Sequence, residues 1–127
     1  ELGYNFRMPN LNAALACAQL EQLDMFIEQK KKLFEQYCSF FEGSEINLKQ
    51  PLPDTTSNHW LMALELPDRE ARDAFLRATN EAGVMTRPIW QLMYKLPMYA
   101  DCQRDSQQNA EYLEDRIVNI PSSAILS

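Results

Sequence analysis

The sequence predicts an α/β fold of the α+β kind, a long N-terminal helix followed by a small sheet covered by helices. Three observations predict it. Residues 10–42 space their apolar side chains helically. Two apolar segments, His59 to Leu66 and Val84 to Arg87, read as strands with a helical stretch between them. The resulting order of helix, strand, helix, strand, helix leaves one sheet to be layered by helices. At 127 residues the chain is about one domain, long enough to bury roughly two-thirds of its unfolded surface. It shows no repeat, linker or low-complexity segment.

Residues 1–9 read as an extended arm, with Pro9 suited to the first helical position. From Asn10 to about Leu23 the residues Leu11, Ala14, Leu15, Ala18 and Leu20 keep helical spacing, and the small Ala13, Ala14, Ala16 and Ala18 permit close packing against another helix or subunit. Asp24 is a good N-cap for a second stretch to about Glu42, whose stripe is Ile27, Leu33, Phe34, Tyr37 and Phe41. Together the two pieces predict one long helix bent near Leu23 and Asp24, closed by Gly43 at the C′ position. Ile46 to Leu48 suits a short edge strand before Pro51 and Pro53, and Asp54 to Asn58 a polar loop. Asp68 caps a helix from Arg69 to about Ala82 that presents Ala71, Phe75, Leu76 and Thr79 on one face, and Gly83 stops it. Pro88 ends the second strand, Ile89 to Tyr99 is irregular and apolar, and Ser106 caps a last helix from Gln107 to about Val118. Ile120 to Ser123 is a terminal loop or short strand.

The charge and composition exclude several functions. The net charge of −6 argues against a nucleic-acid surface, which needs clustered Lys and Arg. The one basic run, Lys30-Lys31-Lys32, is flanked by Glu28 and Glu35 at helical spacings and reads as a solvated helix face. Three cysteines, Cys17, Cys38 and Cys102, give neither a disulfide framework nor zinc spacing. Cys17, in the Ala-rich helix, is expected to act as a small buried apolar group, and a reducing, cytoplasmic setting fits this cysteine usage. No apolar run reaches the ~20 residues needed to cross a bilayer. Three glycines, Gly3, Gly43 and Gly83, leave no Gly-rich phosphate loop. That points to an accessory domain, and the start at Glu1 suggests a chain cut or processed from a longer one.

Two blocks carry a resemblance. Gly3-Tyr4-Asn5-Phe6-Arg7-Met8-Pro9-Asn10, running into Leu11-Asn12-Ala13-Ala14-Leu15, resembles a block of the DegT/StrS-type nucleotide-sugar aminotransferases. So does Gly83-Val84-Met85-Thr86-Arg87-Pro88-Ile89-Trp90, continuing to Tyr99, and the close Ile120-Pro121-Ser122-Ser123 is similar to the family's Leu-Pro segment. Many members carry a His-Tyr…Pro-Leu-His pattern in the second block. The Arg87-Pro88-Ile89-Trp90 form, without histidine, looks like the branch making 4-amino sugars on the way to legionaminic and related nonulosonic acids.

The resemblance implies the small C-terminal domain of the aspartate-aminotransferase (fold type I) architecture. Residues 1–42 would be arm and connecting helix, residues 43–127 the small α/β domain, and the large pyridoxal phosphate (PLP) domain would be absent. It implies amino transfer from glutamate to a nucleotide-linked 4-keto sugar, in a homodimer, with no nucleic-acid or membrane partner. None of Lys30, Lys31, Lys32, Lys49 or Lys95 lies in a segment like the family's Schiff-base motif, so no catalytic residue is assigned and the chain alone is expected to be inactive.

The resemblance assigns Asn5 to the cofactor phosphate of the partner subunit, a role its amide donors suit; taken alone, such an Asn more often makes a turn or caps a helix. Arg7 either pairs with a phosphate or forms a structural salt bridge, and Tyr4 and Phe6 either shape the sugar pocket or anchor the arm. Arg87, restricted in direction by Pro88, meets the nucleotide, the glutamate carboxylate, or an interdomain acid. Trp90 and Tyr94 are candidate walls of the substrate cleft; Met93 and Tyr99 fit either that cleft or a plain apolar cluster. His59, the lone histidine, reads as structural, and no metal site is expected. Two other functions compete: a non-catalytic dimerisation or regulatory module of the same shape, and a dehydratase of the same fold with histidine in place of the upstream lysine.

Overall fold

A computed structural model of the chain describes residues 7–124. The elements are α1 (Asn10–Leu20), α2 (Leu23–Phe41), β1 (Asn47–Leu48), β2 (Met62–Glu65), α3 (Arg69–Glu81), β3 (Arg87–Pro88), α4 (Gln108–Glu114) and β4 (Ile117–Ile120). The strands form one antiparallel sheet in the order β1-β2-β4-β3. Met62 pairs with Ile120 and Leu64 with Val118, so these four side chains share a face, and all four are buried. Leu48, Leu66 and Phe34 of α2 complete that core; Leu33, Tyr37 and Phe41 of α2 and Ala71, Phe75 and Leu76 of α3 pack around it. Apart from Ile27 and Thr79, the stripes read from the sequence on these two helices pack against the sheet core.

α3 shows how local chemistry sets its ends. Asp68 accepts the Ala71 N–H at 2.8 Å, the N-cap bond expected of it. At the far end Gly83 adopts φ +81°, the Gly83 N–H donates to the Asn80 carbonyl at 3.0 Å and the Val84 N–H to the Thr79 carbonyl at 2.8 Å. These two bonds are the Schellman closure that favours glycine at C′. Gly43 follows α2 with φ +74°, again left-handed.

Several boundaries differ from expectation. The last helix stops at Glu114, and Ile117–Ile120 is a central strand, where helix was expected to about Val118 and a terminal loop or short strand from Ile120. A short Ile-Val-Asn-Ile run fits either period, and its three β-branched residues favour the pleated, doubly covered position. Arg72 of α3, itself buried, donates to the Glu114 carbonyl at 2.6 Å and satisfies a free carbonyl at the end of α4. β2 begins at Met62 instead of His59, because turn chemistry intervenes. Ser57 Oγ accepts the His59 N–H, Asn58 Oδ1 accepts the Trp60 N–H, both at 3.0 Å, and His59 sits at φ +48°.

β3 is Arg87–Pro88 rather than residues 84–87. Thr86 is drawn instead against α3, its hydroxyl 2.6 Å from that of Thr79 and its carbonyl accepting from Asn80 at 3.1 Å. Pro88 is tolerated because β3 is an edge strand. Asp24 lies in the first turn of α2 and Gln22 holds its cap position; Pro9 is the residue before α1, and Gln107, not Ser106, precedes α4. The helix interruption falls at Glu21 and Gln22 rather than Leu23 and Asp24. Cys17 is exposed, contrary to expectation, because α1 buries none of its residues against the described chain.

Candidate functional site

The second face of the sheet is defined by register. Asn119 pairs with Ala63 on one side and Arg87 on the other, so these three residues share it. Asn47, Glu65 and Ile117 stand in register on the same face. There Glu65 accepts from the Tyr112 hydroxyl of α4 at 2.8 Å and pairs with Lys49 at 2.9 Å. The Arg116 guanidinium lies 4.0 Å from the centre of the Tyr112 ring. The hydrogen bonds from Lys49 and Tyr112 hold the Glu65 carboxyl below its ordinary value, and the Glu65 bond raises that of Tyr112.

The end of that face beyond Ala63 is open. A groove of about 230 Å³ is lined by Leu61, Met85, Arg87, Trp90, Asn119 and Ile120 among others. Trp90 is 67% exposed and Met85 64%. Arg87 is also exposed; its Nη2 lies 3.5 Å from Met85 Sδ, a weak acceptor. Among the described residues Arg87 forms no ion pair, so no carboxylate matches its fork of donors. A guanidinium, an indole and a side-chain amide on one apolar floor form a surface suited to an anion joined to a planar ring. Arg87 and Trp90, singled out separately in the sequence, line the same groove.

Tyr94 is not in that groove. It lines a second one, about 340 Å³, with Leu92, Met93, Tyr99, Arg104 and Gln107. Met93 and Tyr99 are exposed there rather than buried in a cluster. The Tyr94 hydroxyl donates to Glu111, a bond that raises its pKa, and the Arg104 guanidinium sits 4.7 Å from the ring centre. Beneath, the buried Glu114 accepts the Leu92 N–H at 2.8 Å and pairs with Lys95. Burial pushes the Glu114 carboxyl up, but the Lys95 and Leu92 hydrogen bonds outweigh it and hold it below the ordinary value; the same bond raises the pKa of Lys95. Sequence reasoning missed this Glu111–Glu114–Lys95 set. The Glu111/Glu114 spacing on a helix was its one visible signal, and the 92–95 turn that meets it has no periodicity.

Asn5, with Tyr4 and Phe6, lies outside the described residues; Arg7 is exposed. His59 is structural in its contacts, its ring stacked on Phe34 with centroids 4.3 Å apart. Burial first, then the charges of Lys30 and Lys31, lower its pKa. Lys32 pairs with Glu28 at 3.7 Å as a solvated helix face would, but Lys30 turns inward and donates to backbone carbonyls. Among the described residues no group of three metal-ligating side chains occurs, and no helix is long and apolar enough to cross a membrane.

The sequence model of the DegT/DnrJ/EryC1/StrS aminotransferase family matches residues 1–127. The GDP-perosamine synthase of Escherichia coli is 30% identical over 126 residues, covering 99% of this chain and 34% of that protein. The GDP-perosamine synthase of Vibrio cholerae is 30% identical over 125 residues, 95% of this chain and 34% of that one. DesV of S. venezuelae, solved in complex with a ketimine intermediate, superposes with a TM-score of 0.87 at 24% identity, over 98% of this chain and 34% of its own. A sugar aminotransferase from Micromonospora echinospora gives 0.84 at 22%, over 98% and 33%. These two likenesses are of fold, and they bear out the small-domain architecture of fold type I aminotransferases. The chain spans about a third of the length of the curated relatives it matches.

Proposed function

Because the chain belongs to the DegT/DnrJ/EryC1/StrS aminotransferase family, we propose that it is the C-terminal part of a PLP-dependent enzyme that moves an amino group from glutamate to a nucleotide-linked 4-keto sugar. In this reading residues 1–42 are arm and connecting helix and residues 43–127 the small domain of a cytoplasmic homodimer. The observation that carries it is the family match over the whole chain, joined to an open groove in which Arg87 and Trp90 stand together. Within the class, the Arg87-Pro88-Ile89-Trp90 segment supports a product on the way to legionaminic and related nonulosonic acids.

PLP supplies the electron sink for such a transfer. The described residues do not fit as its complete holder. Lys30 is engaged by carbonyls, Lys32, Lys49 and Lys95 by carboxylates, and Lys31 stands exposed on α2. Lys30 does border a groove, but its ammonium is committed to three carbonyls rather than left as a free Schiff-base amine, which supports an inactive fragment and a lysine supplied by another domain. What this chain contributes is binding. Arg87 holds an anionic group of the nucleotide sugar or the glutamate carboxylate, Trp90 covers a ring, Tyr94 borders the second groove, and Asn5 donates to the cofactor phosphate across the dimer.

The test is an assay of the natural gene product that carries this chain, with PLP, glutamate and nucleotide-linked 4-keto sugars, read by mass spectrometry for the amino sugar. Amino sugar from that product, and none from the chain alone, is the expected result. Turnover by the chain alone, or no amino sugar from the whole product with any nucleotide, overturns the reading.

A further inference from the structure

Lys30 is a buried-side cation that the proposed reaction does not use. Its ammonium group donates to the carbonyls of His59 and Trp60, each at 3.4 Å, and to that of Ser122. An ammonium has three donors and no acceptor, so three carbonyls satisfy it. Residues 60 and 122 face one another just beyond the Met62–Ile120 pair, the last of the β2/β4 ladder. They are tied directly as well, Ser122 Oγ donating to the Trp60 carbonyl at 2.7 Å. Seven residues along the same helix face, the Tyr37 hydroxyl donates to the Pro121 carbonyl at 3.0 Å. Between the two, buried Phe34 stacks on His59.

This end of the ladder divides two grooves. Trp60 walls an apolar one of about 570 Å³ with Leu23, Phe26, Ile27 and Lys30 of α2. Leu61, the next residue, walls the Arg87 groove. We infer that Lys30 is a latch: it fastens α2 to the frayed end of the β2/β4 ladder and so positions the 60–61 segment that separates the two grooves. Hydrogen bonds to a charged donor are stronger than neutral ones, and no other side chain of α2 reaches this many carbonyls among the described residues. Burial lowers the pKa of Lys30, in keeping with a cation drawn partly out of water. The latch concerns this chain's own conformation, so it stands or falls independently of the reaction proposed above.

Two measurements on the protein test it. In the unmodified protein the ammonium protons of Lys30, followed by nitrogen-detected NMR, should exchange with water about tenfold more slowly than those of Lys31 and Lys32, which share its helix. In Lys30→Met, backbone amide exchange should quicken about tenfold at residues 58–62 and 120–123 while the amides of α3 keep their rates. Equal ammonium exchange at the three lysines overturns the latch. So does a variant whose amides quicken uniformly, or not at all, in those two segments. Should Lys30→Met fail to fold, the ammonium measurement decides alone.

Discussion

Glu114 is the group whose removal separates two contributions to the candidate site. Its carboxylate accepts the Leu92 N–H at 2.8 Å and pairs with Lys95, fixing the turn that presents Tyr94. The side chain is almost wholly buried, so little water stands ready to replace it. Glu114→Leu leaves the Leu92 donor without an acceptor, a loss of about 2 kcal/mol. Glu114→Gln keeps an acceptor oxygen and deletes only the charge; with Lys95 partly solvent-screened, about 1 kcal/mol is expected. Urea unfolding at pH 7 reads both. The acidic limb adds a second signature. The carboxyl is held below its unfolded value of about 4.3, so the stabilisation is complete above that pH and fades as pH falls through the lower folded value. The difference between the unmodified protein and Glu114→Gln should therefore shrink below about pH 4. A Gln variant as damaging as Leu, or a difference unchanged at low pH, would refute the division into acceptor and charge.

Other perturbations follow from single contacts. Asp68→Ala removes the side-chain acceptor for the Ala71 N–H and should cost about 1 kcal/mol in the same unfolding assay. Gly83→Ala meets no atom within 4 Å, so its cost is conformational alone, about 1 kcal/mol for a side chain at φ +81°. Arg87→Ala should leave stability within about 0.5 kcal/mol, since the side chain is exposed. In the whole enzyme the same change should raise KM for the sugar or for glutamate, and unchanged kinetics would return Arg87 to a structural role. Asn5→Ala in that enzyme should weaken PLP retention, measured by dialysis and absorbance, without dissociating the dimer; undiminished retention would remove Asn5 from the cofactor site.

What was legible in the sequence follows from the range of the forces involved. The α2 and α3 faces, the Asp68 cap and the Gly43 and Gly83 stops were readable because each depends on neighbours within a few residues. Arg87 and Trp90 were singled out separately, through the resemblance, and that they border one groove was not read from the sequence. β4 was not readable, because Ile117 to Ile120 is placed by strands far away in sequence, and its short apolar run fits helix and strand alike. Tyr94 was grouped with Trp90 by proximity in sequence, yet two short 3-10 turns and the Glu111 and Glu114 carboxylates seat it in a separate groove. Lys30 was read as solvated because a run of three lysines on a helix mostly is. Which of the three turns inward depends on where Ser122 ends up, 92 residues away.

α1 and α2 both carry apolar residues and meet different fates. α2 finds β1, β2 and β4 and buries Phe34 among them. α1 has no side-chain cap and no buried residue; Leu11, Leu15 and Leu20 remain largely exposed. A helix of 11 residues is marginal in water without tertiary packing, and each leucine left exposed forgoes roughly 1.5–3 kcal/mol of burial. The apolar pattern of α1 is thus not explained by any surface that residues 7–124 supply. Relatives three times as long have further chain with which such a face could pack, and this is the physical support for reading α1 as the connecting element of a larger enzyme. The alternative, a self-sufficient module, requires α1 to be covered by a second copy. Sedimentation of the chain against Leu11→Glu separates the two: a stable dimer dispersed by that substitution would favour the module, and a monomer indifferent to it would favour the connecting helix.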